Sequence, residues 1–323
     1  MTEKILEMLK QGGYVSGSDI SRELGISRNA VWKHICKLKK SGYDIDSVTN
    51  KGYLLNQSDS ISKESVLSHL NTEFIGRNLI IYDEISSTNT AASENSTMPN
   101  GTVFLARAQT SGRGRLGRAW QSGRSGMWFS ILLKPHIPPE SVSAVTLIAG
   151  LAVRDAIGAD SMIKWPNDIV IDGKKVCGIL TELSAEIDRV NHVICGIGIN
   201  LSAHSFPPEL EKRATSLKLC KIEYDANILL AKILNKFETY YNCFLTSGFS
   251  PFISEYSEKC INIGREVSFT YKNERFTATA VGISENGALI ADIDGKHTEI
   301  SSGEVTLGGY GDEIMTKKYT KKI

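Results

Sequence analysis

Gly112-Arg113-Gly114-Arg115-Leu116-Gly117-Arg118-Ala119-Trp120 places three glycines and three arginines within seven residues and follows them with an indole. Glycine lets a backbone approach an anion closely and turn its N–H groups inward. Arginine offers planar, charge-assisted hydrogen bonds to phosphate oxygens. The stretch suits a polyphosphate ligand, although its composition would also fit a solvated, flexible loop. It has neither the Gly-Lys-Ser/Thr ending of a P-loop nor the glycine spacing of a dinucleotide fold, which excludes both of those nucleotide motifs. Runs rich in branched and aromatic residues flank it at 102–106 and 128–133, and others follow at 169–171, 176–183 and 190–199. Val142, Val145, Ala149, Ala152, Val153 and Ala156 recur at helical spacing, as do Leu230, Ile233, Leu234, Phe237, Tyr241 and Phe244. Helices that bury one face against a mixed sheet are therefore expected over residues 61–262, which makes the middle of the chain an α+β domain.

Beyond the glycine-rich stretch lies Lys164-Trp165-Pro166-Asn167-Asp168. Proline fixes the chain just after the tryptophan, so a lysine at the end of a strand is presented in one direction. The other reading is a structural turn whose lysine simply faces water.

The flanking regions have different patterns. Ile5, Leu6 and Leu9 share a helical face, Ser18 opens a second helix through Leu24, Gly25 breaks it, and Ser27 caps a third that runs to about Lys40. Alternation on either side of Asn50-Lys51-Gly52 then predicts a β-hairpin, so residues 1–55 read as a winged helix-turn-helix and 56–60 as a linker. Val31, Ile35 and Leu38 form the inward face of the third helix. Ser27, Arg28, Asn29, Trp32, Lys33 and Lys37 are left as the candidate DNA-binding residues. Between Leu24 and Lys40 there are several cations and no acid, a local basic stripe of the kind a phosphate backbone attracts. Two alternatives stand beside this: lysines that only form a solvated face, and a Trp32 that finishes the small core. Residues 263–309 alternate around the turn signals Glu285-Asn286-Gly287 and Asp294-Gly295, as a small β-barrel would, and 310–323 read as a polar tail.

Bulk properties agree with folded domains: the 323 residues are 41% hydrophobic and 23% charged, with a net charge of only +1. The cysteines are scattered, with no CxxC pair, as expected of reduced thiols in a cytosol. Neither a signal peptide nor a membrane span is expected. The histidines form no spaced cluster, so no protein-bound metal site and no histidine base is expected.

The order of these motifs adds a resemblance. GRGRLGRAW, then KWPND, then Lys175-Val176-Cys177-Gly178-Ile179-Leu180 and Gly196-Ile197-Gly198-Ile199-Asn200, is similar to the motif series of bacterial biotin-protein ligases. Ser86-Ser87-Thr88-Asn89 and Gln109 sit where that family has its biotin-contacting residues. The resemblance covers nearly the whole chain, because the bifunctional members also have an N-terminal winged helix-turn-helix and a C-terminal SH3-like barrel. It implies a class II synthetase-like catalytic domain that uses ATP and Mg2+ to make biotinyl-5'-AMP. Biotin is then transferred to a lysine of a biotin carboxyl carrier protein. It also implies repression at operator DNA, a ligand-promoted homodimer and a cytoplasmic location.

For single residues, the resemblance implies that Ser87, Thr88, Asn89 and Gln109 bind the ureido end of biotin, with Arg113, Gly114 and Arg115 closing over its carboxylate. Lys164 would stabilise charge beside Arg115, the other catalytic candidate, and Arg118, Trp120 and Asn200 would meet the nucleotide. Leu116 departs from the pattern, replacing a further arginine found in some relatives. Two alternative functions are a metabolite-sensing repressor with an inactive ligase domain and a lipoate-type ligase.

Overall fold

The computed structural model describes residues 1–40, 43, 45–55, 61–158, 160–186, 189–271, 274–301 and 305–307. The expected linker at 56–60 and tail at 310–323 lie outside the described residues. At the N-terminus stand α1 (Thr2–Lys10), α2 (Gly17–Leu24), α3 (Arg28–Lys40) and the antiparallel pair β1 (Ile45–Val48) and β2 (Gly52–Leu55). The second helix begins one residue before the expected Ser18, because Ser16 is its cap and accepts from the Asp19 amide at 3.0 Å. Gly25 ends it in the left-handed region at φ 65°, and Ser27 caps α3 through the Ala30 amide at 3.2 Å. Ile5, Leu9, Ile20, Val31, Ile35, Leu38 and Ile45 close one small core. Trp32 is 57% exposed, so it does not finish that core. The wing is fixed by Gly52, at φ 106°, where a Cβ would stand 2.3 Å from the Val15 carbonyl oxygen; only glycine lets these backbones meet in the Val15–Tyr53 bridge.

The central unit contains α4 (Lys63–Ser68), β3 (Leu79–Tyr82), α5 (Thr88–Glu94), β4 (Val103–Ala106), β5 (Gly126–Leu133) and α6 (Val142–Ile157). It continues with β6 (Ser161–Lys164), β7 (Asp168–Ile171), β8 (Lys174–Glu186), β9 (Arg189–Asn200), α7 (Ala226–Ser247) and α8 (Ile253–Lys259). Its sheet runs β3-β4-β5-β9-β8-β7-β6, parallel between β3 and β4 and antiparallel elsewhere. The expected helices are α6 and α7, whose apolar faces join the same large core as Phe129, Ile131, Ile197 and Ile199 of the sheet. The opposite face carries α5, with Ala91 and Ala92 against Phe104, Leu132 and Ile194. Strand β3 and helix α5 were not apparent from periodicity. The strand is only four residues long, and TNTAASE is a weak helix former held by packing on the sheet.

Asp155, at the end of α6, ties three helices together. It accepts from Lys259 at 2.8 Å, Tyr240 at 2.5 Å and Arg154 at 3.2 Å. Burial pushes its carboxyl up, but the bonds from Lys259 and Tyr240 outweigh that and hold it below the usual carboxylate range. A depressed folded value means that this stabilisation is present above the unfolded carboxylate range and is lost as pH falls through the folded one. Asp155→Asn is expected to destabilise the protein by about 1–3 kcal/mol at neutral pH. Urea unfolding of the two proteins should converge in acid; an equal gap at both pH values would contradict the assignment.

The C-terminal unit comprises β10 (Glu266–Tyr271), β11 (Glu274–Ile283), β12 (Leu289–Ile293), β13 (Lys296–Ile300) and β14 (Val305–Leu307), ordered β13-β12-β11-β10-β14 and antiparallel throughout. Among the described residues these five strands form one antiparallel sheet, and no ladder joins its edge strands β13 and β14. It docks on the central unit through the turn before β12, where the Gly287 carbonyl accepts from the Trp165 indole at 3.0 Å.

Candidate active site

The glycine-arginine stretch is a hairpin rather than a free loop. Arg113 bridges Ala119, the Trp120 amide donates to the Gly112 carbonyl at 2.9 Å, and the Gly114 amide donates to the Arg118 carbonyl at 2.7 Å. Below it Gln109 bridges Ser122, so the stem continues from the end of β4. At the tip Leu116 adopts φ 56° and leaves its side chain 73% exposed, a conformation that costs a non-glycine residue about 1 kcal/mol or more. The solvated-loop alternative therefore holds only for the tip.

The hairpin lays Trp120 on the sheet. Gly178 and Gly198 are register partners on β8 and β9, and a Cβ at Gly198 would stand 2.6 Å from the Trp120 Nε1. Trp128 meets the same indole edge-on at 6.3 Å, and Lys175 Nζ lies 4.8 Å from its ring centre while pairing with Asp168 at 2.6 Å. This explains Gly178 of KVCGIL and Gly198 of GIGIN: they form a floor low enough for an aromatic ring. Trp120 Nε1 is buried without a hydrogen-bond partner among the described residues, an unmet donor at the edge of the cleft.

Next to this floor is a buried polar network. Thr88 donates to Gln109 Oε1 through its amide at 2.7 Å and its hydroxyl at 3.1 Å, and Gln109 Nε2 donates to Ser122 at 2.8 Å. Ser130 lies 2.7 Å from Thr88 Oγ1 and donates to Asn89 Oδ1 at 2.6 Å. Asn89 Nδ2 donates to Glu182 at 2.6 Å, and Arg113 pairs with the same carboxylate at 3.1 Å. Ser87 and Thr88 are each 4% exposed and Asn89 is 5% exposed, so this network is buried.

The cleft itself, of about 1750 Å3, is lined by Gln109, Gly114, Arg115, Arg118, Trp120, Lys164 and Asn200 among others. Arg115 donates to Asn167 Oδ1 at 2.9 Å, and Asn167 is bound to Ile179 of β8 in both directions, at 3.0 and 2.9 Å. Trp165 is buried, and its amide donates to Asn262 at 2.8 Å. The KWPND segment is thus a structural turn and also a mount: Trp165 is core, while half-buried Lys164 reaches the cleft at the end of β6. Arg113 instead sits on the Glu182 side, and Asn200 donates to the Thr215 carbonyl at 3.0 Å.

Ser122, Ser130, Lys175 and Glu182 were missed by sequence reasoning as members of this site. Strand alternation would have put Ser130 and Gly196 opposite one another on the α5 face, which is how they pair, but it does not say which face binds. The candidate DNA-binding residues form a separate group. Arg28, Asn29, Trp32, Lys33 and Lys37 are exposed on α3, although Arg28 also donates to Ser18 at 2.5 Å and Ser27 serves as the cap. Among the described residues no three carboxylate, imidazole or thiol groups gather as a metal would require.

Comparison with known proteins gives three family matches: the biotin/lipoate A/B protein ligase family over residues 82–200, a helix-turn-helix domain over 2–54, and the biotin protein ligase C-terminal domain over 263–308. The bifunctional ligase/repressor BirA of Bacillus subtilis is 40% identical, covering 95% of this chain and 99% of its own. Its Escherichia coli counterpart is 27% identical over 94% and 96% of the two chains. Among solved structures, the biotin protein ligase of Aquifex aeolicus in complex with biotin and ATP superposes with a TM-score of 0.63 at 33% identity, covering 72% of this chain and 98% of that one.

Proposed function

The chain belongs to the biotin protein ligase family, and from that premise we propose how its residues share the work of a ligase and a repressor. It is an ATP-dependent biotin ligase joined to a helix-turn-helix repressor module. In the first step the carboxylate of biotin attacks the α-phosphorus of ATP, forming the mixed anhydride biotinyl-5'-AMP and expelling pyrophosphate. In the second, a lysine amine of a biotin carboxyl carrier protein attacks the acyl carbon, loses a proton and expels AMP.

Two anions must meet in the first step. At about 4 Å and an effective dielectric near 20 their repulsion is about 4 kcal/mol, or roughly three powers of ten in rate. Lys164 and Arg115 offset it. One observation carries this reading: the Arg115–Asn167 bond draws the guanidinium of the hairpin onto the turn that presents Lys164, so cations from distant segments converge on one cleft. Thr88, Asn89, Gln109 and Ser87 hold the ureido ring with neutral donors and acceptors, which acids lacking that ring would leave unpaired. Arg113, Gly114 and Arg115 close over the carboxylate and phosphate, Arg118 meets the nucleotide, and Trp120 and Asn200 meet adenine. The glycine hairpin keeps water from the anhydride.

Magnesium, when bound, neutralises the phosphates. The ion would enter with the ATP phosphates, since magnesium is commonly held by substrate phosphates and water with few protein ligands. The reading extends to an SH3-like closure of the C-terminal sheet, a class II synthetase-like catalytic unit, a cytoplasmic location and a ligand-promoted homodimer that sets two winged heads on two half-sites of operator DNA.

The deciding experiment combines the protein with MgATP, labelled biotin and a biotin carboxyl carrier domain. Covalent label on the carrier supports the reading, and its absence with all three substrates present contradicts it. For the repressor role, Lys33 and Lys37 are assigned to phosphates. Lys37→Ala should weaken operator binding about equally across sequences and reduce the salt slope of log K by about 1. An unchanged slope in filter binding or fluorescence anisotropy would remove Lys37 from the interface.

A further inference from the structure

A continuous chain of polar contacts leaves the glycine hairpin at one stem and returns to it at the other. It runs from Arg113 to Glu182, Asn89, Ser130, Thr88, Gln109 and Ser122, whose hydroxyl donates to the Trp120 carbonyl at 3.0 Å. Only two members of this circuit carry charge, Arg113 and Glu182. Asn89 needs no more than an acceptor, which a neutral amide would provide. The negative charge is met by Arg113, which also donates to Thr90 at 3.3 Å.

We infer that Glu182 is a positioning residue for the ligase reaction: one carboxylate sets both the biotin-side Asn89 and the hairpin arginine Arg113. The inference rests on the ligase reading above and adds to it the device that fixes the hairpin relative to the biotin motif. Geometry favours this over a purely structural role. Glu182 lies on β8, its side chain is 34% exposed, and its partners come from α5 and from the hairpin, the two segments that must approach the same ligand. A hairpin held through an ion pair at one stem closes in a defined register over the mixed anhydride, and losing the charge should act on retention of the intermediate.

The test uses the full-length protein loaded with biotinyl-5'-AMP and measures its release in a double-mutant cycle. Glu182→Gln keeps the acceptor for Asn89 and removes the charge, so release should quicken about threefold, the scale of a partly exposed ion pair. In an Arg113→Gln background the same change should have no effect, a dependence that a general structural role would not produce. Glu182→Ala also removes the closer acceptor of the Asn89 amide, leaving it only the Leu180 carbonyl at 3.3 Å, and should weaken biotin binding about tenfold. Release from Glu182→Gln at the wild-type rate, or an equal acceleration with and without Arg113, would overturn the inference while leaving the ligase reading intact. A wild-type protein that retains no adenylate at all would overturn both.

Discussion

Lys164→Ala is expected to slow formation of biotinyl-5'-AMP about a thousandfold, while the dissociation constant for biotin changes by less than about threefold. The asymmetry follows from what the side chain does. Biotin alone brings a single carboxylate, which Arg115 can meet; only when the α-phosphate arrives do two anions have to share a small volume. Lys164 ends β6 and lines the cleft, and the next residue is immobilised by Asn262 and Gly287, so the strand end that carries the ammonium is fixed before either substrate binds. A preorganised cation of this kind acts on the transition state more than on the ground state. Lys164→Arg should recover little, because a planar fork on a longer stem does not occupy the position of a compact ammonium. Single-turnover adenylate formation checks this directly. A Lys164→Ala protein with a near-normal rate, or one whose whole defect lies in biotin affinity, would remove the assigned role.

Gly196→Ala should be nearly as damaging, by a different route. A Cβ at this position would stand 2.1 Å from Asn89 Oδ1, and Asn89 cannot retreat, because Ser130, Leu180 and Glu182 hold its amide from both ends. One methyl group on the sheet floor therefore displaces a residue of the biotin motif. Overpacking of this kind costs about 1–3 kcal/mol of stability. Biotin affinity should fall by about a hundredfold, because the displaced network also carries Thr88 and Gln109. Gly123→Ala is the contrast: nothing lies within 4 Å of a Cβ there, so affinity and melting temperature should stay close to wild type. Isothermal titration with biotin on both variants separates the cases, and equal affinities would contradict the close-approach account of the GIGIN glycines.

Much of the architecture could be read from residue patterns because its determinants are local. The apolar run of α6, which is buried on every side over residues 147–153, the caps at Ser27 and Gly25, and the Asn50-Lys51-Gly52 turn each act within one or two turns of chain. What stayed hidden depends on long-range placement. Helix α5 forms because Ala91 and Ala92 find Phe104, Leu132 and Ile194 on strands distant in sequence, and no periodicity in seven weakly helical residues announces that. The site divides in the same way. Trp120 and the arginines stand out by composition. Glu182 and Ser130, by contrast, look like ordinary strand residues until the β5-β9-β8 register sets them beside Asn89. The strand and turn signals of 263–309 announce the antiparallel strands β10 to β14, whereas closure of their edges depends on long-range pairing rather than on any local pattern.

The most direct test of the central claim, that the cleft couples a carboxylic acid to AMP, is exchange of labelled pyrophosphate into ATP by the purified protein. The account predicts exchange that requires biotin, needs no carrier protein and is nearly abolished by Lys164→Ala. Biotin that binds normally but supports no exchange would contradict it.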